Sequence, residues 1–446
     1  MIDIVFGELM YRLTCLLLLA SLLSCSALHA AREIAEEVVF GHYGTGIGEF
    51  LYPVCVAISP RGNIVVADNG KTIKKGGRTV HVHGNVSVFD MSGSYLGPVN
   101  PEGEDFGGPV GVCYSPNGCL YVIEIQRHQV RKFNQAGNQL QVFGGPGRKE
   151  GHFRSPRGCA CDGEGHLYVA DYRNRRIQEF DKDGKFIRVI KWVDPKYNKA
   201  ARPRDVVFDR KGRLWAVYTA NHKVVRFDGF GEADLVIGEE GENLGQFKQP
   251  RYIAFDVRNN LYVSDHQNHR IQKFSDDGRF VYSYGVQGRA KGQLNFPEGI
   301  AIANEGNIII AEAGNKRVQI FVVRKLIRYA NKAHLHFEAE EWDKAAEWYE
   351  KVLTLDPANS EALQALAVCY GTLGDEHFQR GELFKARRLF RKITRFRPSN
   401  VDIRKRIRRT LWLQNKGKVY YLVLGFGILL TMVFLIITMV RIIRSE

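Results

Sequence analysis

A fixed period limits this chain more than anything else in it. Prolines stand at 109, 156, 203, 250 and 297, each 47 residues after the last. Phe133, Phe180, Phe227, Phe274 and Phe321 keep the same step. Each copy holds short runs of β-branched and aromatic residues cut by Gly, Asn and Asp, which is the chemistry of strands and turns. Ile253 to Phe255, Leu261 to Ser264, Ile271 to Phe274 and Phe280 to Tyr284 make four such runs within one period. The turn before the second run carries Gly118, Gly165, Gly212, Asn259 or Gly306, residues that tolerate positive φ. Four strands per long period predict propeller blades rather than a sandwich. A blade cannot bury both faces alone, so blades stack into a ring. With an opening copy at Pro53 the count is six. That first copy is longer, and its extra residues follow Asp68 in the basic stretch NGKTIKKGGRTVHVHG, a loop or extended hairpin. The last copy, Pro297 to Val323, has three strands, and Val38-Val39-Phe40-Gly41 reads like the end of a fourth. An N-terminal strand is therefore expected to complete it and remove the open edge.

The stretches LYVADYRNRRIQEF (Leu167 to Phe180) and LYVSDHQNHRIQKF (Leu261 to Phe274) write out D-x-x-N-x-R twice. They resemble the NHL repeat, and the resemblance implies a mainly β, six-bladed NHL-type propeller over residues 36–323. Two copies depart from the pattern: Tyr218 stands at the aspartate position, and Glu124 and Arg127 replace Asp and Asn. The pairs Asp171/Arg176, Asp265/Arg270 and Glu312/Arg317 recur at one register, which marks them as architecture rather than chemistry.

From Leu326 the apolar spacing changes to three and four, the helical pattern. Ala345, Tyr349 and Pro357, then Leu363, Leu366, Ala367 and Tyr370, then Ala386, Phe390 and Pro398 resemble tetratricopeptide repeats. This implies two TPR-like units over 324–400 and a basic capping or juxtamembrane helix over 401–418. Residues 419–440 carry no charge and have the length of a transmembrane helix, followed by a short tail, 441–446. Residues 1–31 have the outline of a signal peptide. Cleavage near Ala27 or Ala30, lipidation at Cys25 and retention as a signal anchor all stay open.

The formal net charge is +15. Most of it lies in residues 380–418, where fifteen Lys or Arg face two acids. Arg404, Lys405, Arg406, Arg408 and Arg409 are the candidates for contact with anionic lipid headgroups. A cleaved signal would put the propeller and helices outside the cytoplasm, while the positive-inside bias points the other way. Export is the favoured reading, with the protein a single-pass membrane protein anchored at its C-terminus.

The residues following the blade prolines are Val54, Val110, Arg157, Arg204, Arg251 and Glu298, at the expected channel mouth. Arg157, Arg204 and Arg251 form a candidate site for an anionic ligand or acidic peptide, since guanidinium forks match carboxylates and phosphates. Pairing with Asp205 or Glu298 is the alternative. Cys55, Cys113, Cys119, Cys159, Cys161 and Cys369 read mostly as buried thiols, and no CxxC occurs. NHL-like amidating lyases carry channel zinc and six-bladed lactonases carry channel calcium. Here the inner strands have no histidine, and only Asp205 and Glu298 could serve a cation. The expectation is a membrane-anchored scaffold, not an enzyme and without cofactor. It would bind a protein, acidic peptide or other anion at the propeller mouth and TPR groove, and lipids at the membrane. Two alternatives stand beside it. One is a lactonase- or lyase-like enzyme using a channel metal. The other is an RNA-binding NHL protein if the propeller is cytoplasmic; exported, it would meet no nucleic acid.

Overall fold

Second strands of the repeats are buried at every residue: Ile64–Asp68, Leu120–Glu124, Leu167–Asp171, Leu214–Tyr218, Leu261–Asp265 and Ile308–Glu312. Their neighbours on the outside alternate instead, as in Gln139–Gly144. A strand covered on both faces needs no polar side, and this contrast is what stacked blades produce. The computed structural model describes residues 34–75, 78–82, 84–99, 105–357, 359–396 and 402–416. It contains six four-stranded antiparallel sheets, five of them in sequence order, and the first strands of successive sheets touch around the ring. Blade three, for example, runs Pro156–Cys161, Leu167–Asp171, Arg176–Phe180 and Phe186–Ile190. In blade six the outer strand comes from the other end of the chain: Ile34–Phe40 pairs antiparallel with Arg317–Val323, with Val38 opposite Ile320. The turn residues take the conformation their identity allows, with φ of 80° at Gly118, 91° at Gly165, 74° at Gly212, 63° at Asn259 and 98° at Gly306. Phe133, Phe180, Phe227, Phe274 and Phe321 are all buried between blades, each worth roughly 1.5–3 kcal/mol.

The D-x-x-N-x-R residues stitch each blade to the linker that enters it. Asp171 Oδ1 accepts from Arg154 N at 2.7 Å, and its Oδ2 accepts from Asn174, Arg176 and Gln178 at 2.8, 2.8 and 3.1 Å. Asp265 takes the same four donors from Lys248 N, Asn268, Arg270 and Gln272. Glu312 takes Asn295 N, Asn315 and Arg317. Several charge-assisted bonds offset the cost of burying each carboxylate. The departing copies are repaired locally. Glu124 accepts from Gly107 N at 2.6 Å and from Arg131 Nε at 3.0 Å, so the arginine comes from the register of Gln178. Tyr218 packs on Trp192 at 4.7 Å, and a small extra hairpin, Val193–Asp194 with Lys199–Ala200, brings in Asp194, which accepts from Asn221 at 2.5 Å. The extra residues of blade one form a hairpin, Lys71–Lys75 with Arg78–Val82.

A second compact unit begins at Tyr329. Its helices are α1 (Lys325–Glu338, which spans the boundary), α2 (Trp342–Leu355), α3 (Ser360–Gln379) and α4 (Leu383–Phe396), with a further helical stretch at 402–416. Asn359 caps α3 by accepting from Ala362 N at 3.0 Å. Ala345, Tyr349, Leu366, Tyr370, Ala386 and Phe390 form its buried positions. Arg404, Lys405, Arg406, Arg408 and Arg409 are exposed. Arg406 pairs with Asp375, and Arg409 lies 5.4 Å over the Phe378 ring. Among the described residues no helix is long and apolar enough to cross a membrane. The stretches 1–31 and 419–440, read above as a signal and a span, lie outside the described residues.

Candidate functional site

The first strands of the six blades surround the channel, and two successive positions on each decide its character. The first position holds Val54, Val110, Arg157, Arg204, Arg251 and Glu298; the next holds Cys55, Gly111, Gly158, Asp205, Tyr252 and Gly299. The glycines let neighbouring backbones approach. A Cβ on Gly111 would sit 2.2 Å from Arg157 O, and one on Gly299 would sit 2.6 Å from Cys55 Cα. Tyr252 does the opposite and fills the space. Its hydroxyl donates to Val110 O at 2.7 Å, from blade five to blade two on the far side of the ring. The phenol therefore closes the channel beneath the three arginines.

The arginines have different surroundings. Arg204 is buried and donates through Nη2 to Glu298 Oε2 at 2.7 Å, with its guanidinium 5.4 Å over the Tyr252 ring. Arg251 Nε lies 4.0 Å from Glu298 Oε1. Arg157 lies 4.8 Å over the Tyr172 ring, and among the described residues no acid pairs with it. Burial opposes the charge on Glu298, but Arg204 and Arg251 outweigh it and hold the carboxyl below its usual range. Burial, reinforced by Arg204, pushes Arg157 down to about 10. The Nε of all three arginines is buried without a partner among the described residues. Three guanidiniums against one carboxylate leave the mouth cationic, with donors an anion can satisfy. The structure sets the three arginines near one another at the mouth, and of the three Arg204 is the one that hydrogen-bonds an acid.

His266 joins this group from the loop after the second strand of blade five. Its Nδ1 is 3.0 Å from Pro297 O and 3.7 Å from Glu298 Oε1. One repeat earlier, Thr219 Oγ1 donates to Pro250 O at 2.6 Å, in the same register. A carbonyl can only accept, so His266 Nδ1 carries the proton and Nε2 carries the lone pair. Burial pushes the imidazole down to about 4, against the pull of Glu298, so it is neutral at pH 7. The sequence sets His266 in one loop with His269 but not beside the arginines; its contact with the Pro297 carbonyl brings it there. His269 has a different role: its Nδ1 accepts from Phe296 N at 3.2 Å, as His128 does from Ser155 N and His222 from Gln249 N. Those three are blade architecture.

The mouth does not fit a divalent cation. Glu298 is spent on Arg204, three guanidiniums repel a cation, and Asp205 Oδ2 accepts from Ile253 N at 3.1 Å. Burial raises Asp205 to about 7. Among the described residues one group has metal-ligand spacing, Asp162, His166 and Glu179, at the other end of the innermost strand of blade three. There Glu179 pairs with Arg188 at 2.5 Å, and Asp162 caps its own turn through Glu164 N and His166 N. Below Tyr252 lies a cavity of about 380 Å³, with Cys55, Cys113, Cys159, Cys161 and Asp205 among its lining residues.

Comparison with known proteins adds to this. Residues 56–197 match the family model of the SMP-30/gluconolactonase/LRE-like region, and residues 247–274 and 294–321 match the NHL repeat. No curated protein matches the chain. Solved structures similar to it include streptogramin B lyase, 14% identical over 65% of this chain and 98% of that one, with a TM-score of 0.46. Virginiamycin B lyase from Staphylococcus aureus is 16% identical over 64% and 98%, with a TM-score of 0.44. A protein of unknown function from Bacteroides thetaiotaomicron is 16% identical over 66% and 76%, with a TM-score of 0.49. Likeness at these values says nothing of chemistry. The match of residues 56–197 overturns the expectation that the chain is not an enzyme, because that family model is named for a lactonase. That expectation rested on the lack of histidine on the inner strands, where only Asp205 and Glu298 could serve a cation.

Proposed function

We propose that the propeller is an enzyme that opens a lactone or similar cyclic ester at the channel mouth. His266 is its general base, and Arg157 and Arg251 bind the oxygen on which negative charge develops. Water attacks the acyl carbon and loses a proton to His266 Nε2. The tetrahedral oxyanion is met by the two guanidiniums, whose unpaired Nε donors are already fixed in a partly dry site. Collapse breaks the ring C–O bond, and the leaving oxygen takes the proton back from Nε2. The product acid then releases its remaining proton to solvent, and its carboxylate is an anion matched to the same arginines. Glu298 and Arg204 position the histidine and the clamp, and Tyr252 forms the floor.

The observation that carries this reading is the neutral His266, its Nδ1 spent on Pro297 O, beside guanidiniums with unmet donors. The family match over residues 56–197 supports the substrate class. The test is proton release from a panel of aldonolactones by the purified full chain. Turnover that His266→Ala abolishes is expected; no acceleration over buffer with any lactone overturns the proposal.

For the rest of the chain, we infer that α1 to α4 form a TPR-like array and that residues 419–440 cross a membrane once, with propeller and helices extracytoplasmic. The buried Ala345, Tyr349, Ala386 and Phe390 and the uncharged composition of 419–440 support this. Protease added to intact cells should degrade the propeller; its protection would refute the topology.

A further inference from the structure

The cavity beneath Tyr252 holds thiols from three adjacent first strands. Cys113, on Pro109–Tyr114 of blade two, has its Sγ 2.8 Å from Cys159 Sγ, on Pro156–Cys161 of blade three. That is closer than the roughly 3.5 to 4 Å at which non-bonded carbon atoms settle, although sulfur is the larger atom. It is within a small adjustment of a disulfide bond of roughly 2.05 Å. The approach is built into the backbone. Gly111, two residues before Cys113, has no Cβ to hold off Arg157 O, so the two strands run together toward the cavity. Both cysteines line that cavity, and Cys113 is only partly buried. Cys161 also lies beside Cys113, and that neighbour, together with burial, raises its thiol strongly.

We propose that Cys113 and Cys159 form a disulfide bond that ties blade two to blade three at the channel wall. The oxidant is a small organic disulfide. The Cys113 thiolate attacks one sulfur of that disulfide, forming a mixed disulfide and releasing one thiol. Cys159 gives up its proton and attacks the Cys113 sulfur, releasing the second thiol. Two protein thiols thus lose two electrons and two protons, and the small disulfide is reduced to two thiols. The link closes a segment of 46 residues, and it adds a covalent tie to two blades otherwise joined by packing and by hydrogen bonds such as Gln141 to Asp183 O. Burial pushes the neighbouring Cys55 thiol up, and the Cys113 contact together with burial raises Cys161, so little thiolate lies beside the bond to exchange with it. Reading along single strands misses this pair, because its members lie on different blades.

The test incubates the folded full chain with bis(2-hydroxyethyl) disulfide, quenches in acid, denatures, alkylates and maps peptides by mass spectrometry. A crosslinked peptide joining Cys113 to Cys159, two hydrogens lighter than the sum of its halves, is expected. It should persist in Cys161→Ser and disappear in Cys159→Ser. The crosslinked protein should melt at a higher temperature, a gain that dithiothreitol in denaturant removes. Recovery of Cys113 and Cys159 both alkylated, or a crosslink from Cys113 to Cys161 or Cys55 in the unsubstituted chain, overturns the proposal.

Discussion

Arg204 and Glu298 stand two blades apart in the ring and meet at 2.7 Å, both buried. This pair turns a row of three arginines into two kinds of residue: one hydrogen-bonded to a carboxylate and two that are not. Glu298→Gln keeps the shape and removes the charge, leaving the Arg204 cation buried. Losing one partner of such a pair costs about 3–5 kcal/mol. Urea unfolding should show the unfolding free energy fall by that amount, with a lower midpoint and an unchanged slope, which marks lost stability rather than a changed unfolded state. A change below about 1 kcal/mol would mean that water already reaches the pair.

Arg157 should behave in the opposite way. No acid among the described residues pairs with it, and burial and Arg204 disfavour its charge. Arg157→Ala should therefore shift stability by less than about 1 kcal/mol. A carboxylate probe such as gluconate should bind more weakly, by about 1.5–3 kcal/mol, the usual size of a hydrogen bond to a charged group. Because burial and Arg204 disfavour the charge on Arg157, binding in the unsubstituted chain should weaken toward alkaline pH. Calorimetric titration measures both, and equal affinity in wild type and variant would remove Arg157 from the site.

His266 is tested by rate and by pH together. Removing a general base costs typically about 10²–10⁴ in kcat, so His266→Ala should fall by about that much with little change in KM. The base works only when neutral, so kcat/KM should fall as the medium is acidified through about 4 and stay flat from there to neutrality. An acid limb centred near the ordinary 6.5 would identify an exposed imidazole and contradict the buried one beside Pro297 O.

The ring was legible in the sequence because blades repeat. Any contact within one blade is copied at the next, and so Pro250, Asn259, Asp265 and Phe274 could be read from their equivalents at fixed spacing. Contacts that cross the ring have no such copies. Tyr252 reaching Val110 O and Arg204 reaching Glu298 depend on closure, and Cys113 meeting Cys159 joins two neighbouring blades through residues that the other copies do not share. The arginines could be placed at the mouth from their register, but not sorted into paired and unpaired. The neutral state of His266 needed the Pro297 carbonyl, and the repair of blade four by Asp194 needed a hairpin that interrupts the repeat.

Asp205 and His266 should leave opposite marks on stability. Asp205 is raised from 3.8 to about 7 by burial, so between those values the folded chain binds the extra proton, and its stability falls as pH rises. His266 is lowered from 6.5 to about 4, so between those values the unfolded chain binds the extra proton, and stability rises with pH. The two windows overlap from about 4 to 6.5, and their slopes largely cancel there. Asp205→Asn removes the falling contribution. Its unfolding free energy should therefore climb more steeply across this range than that of the unsubstituted chain. The two curves should diverge by about 1.4 kcal/mol for each pH unit, a few kcal/mol across the whole window. His266→Gln should tilt the curve the other way. Parallel curves for Asp205→Asn and wild type would show that the Asp205 carboxyl titrates as it does in water, through a cavity open enough to hydrate it.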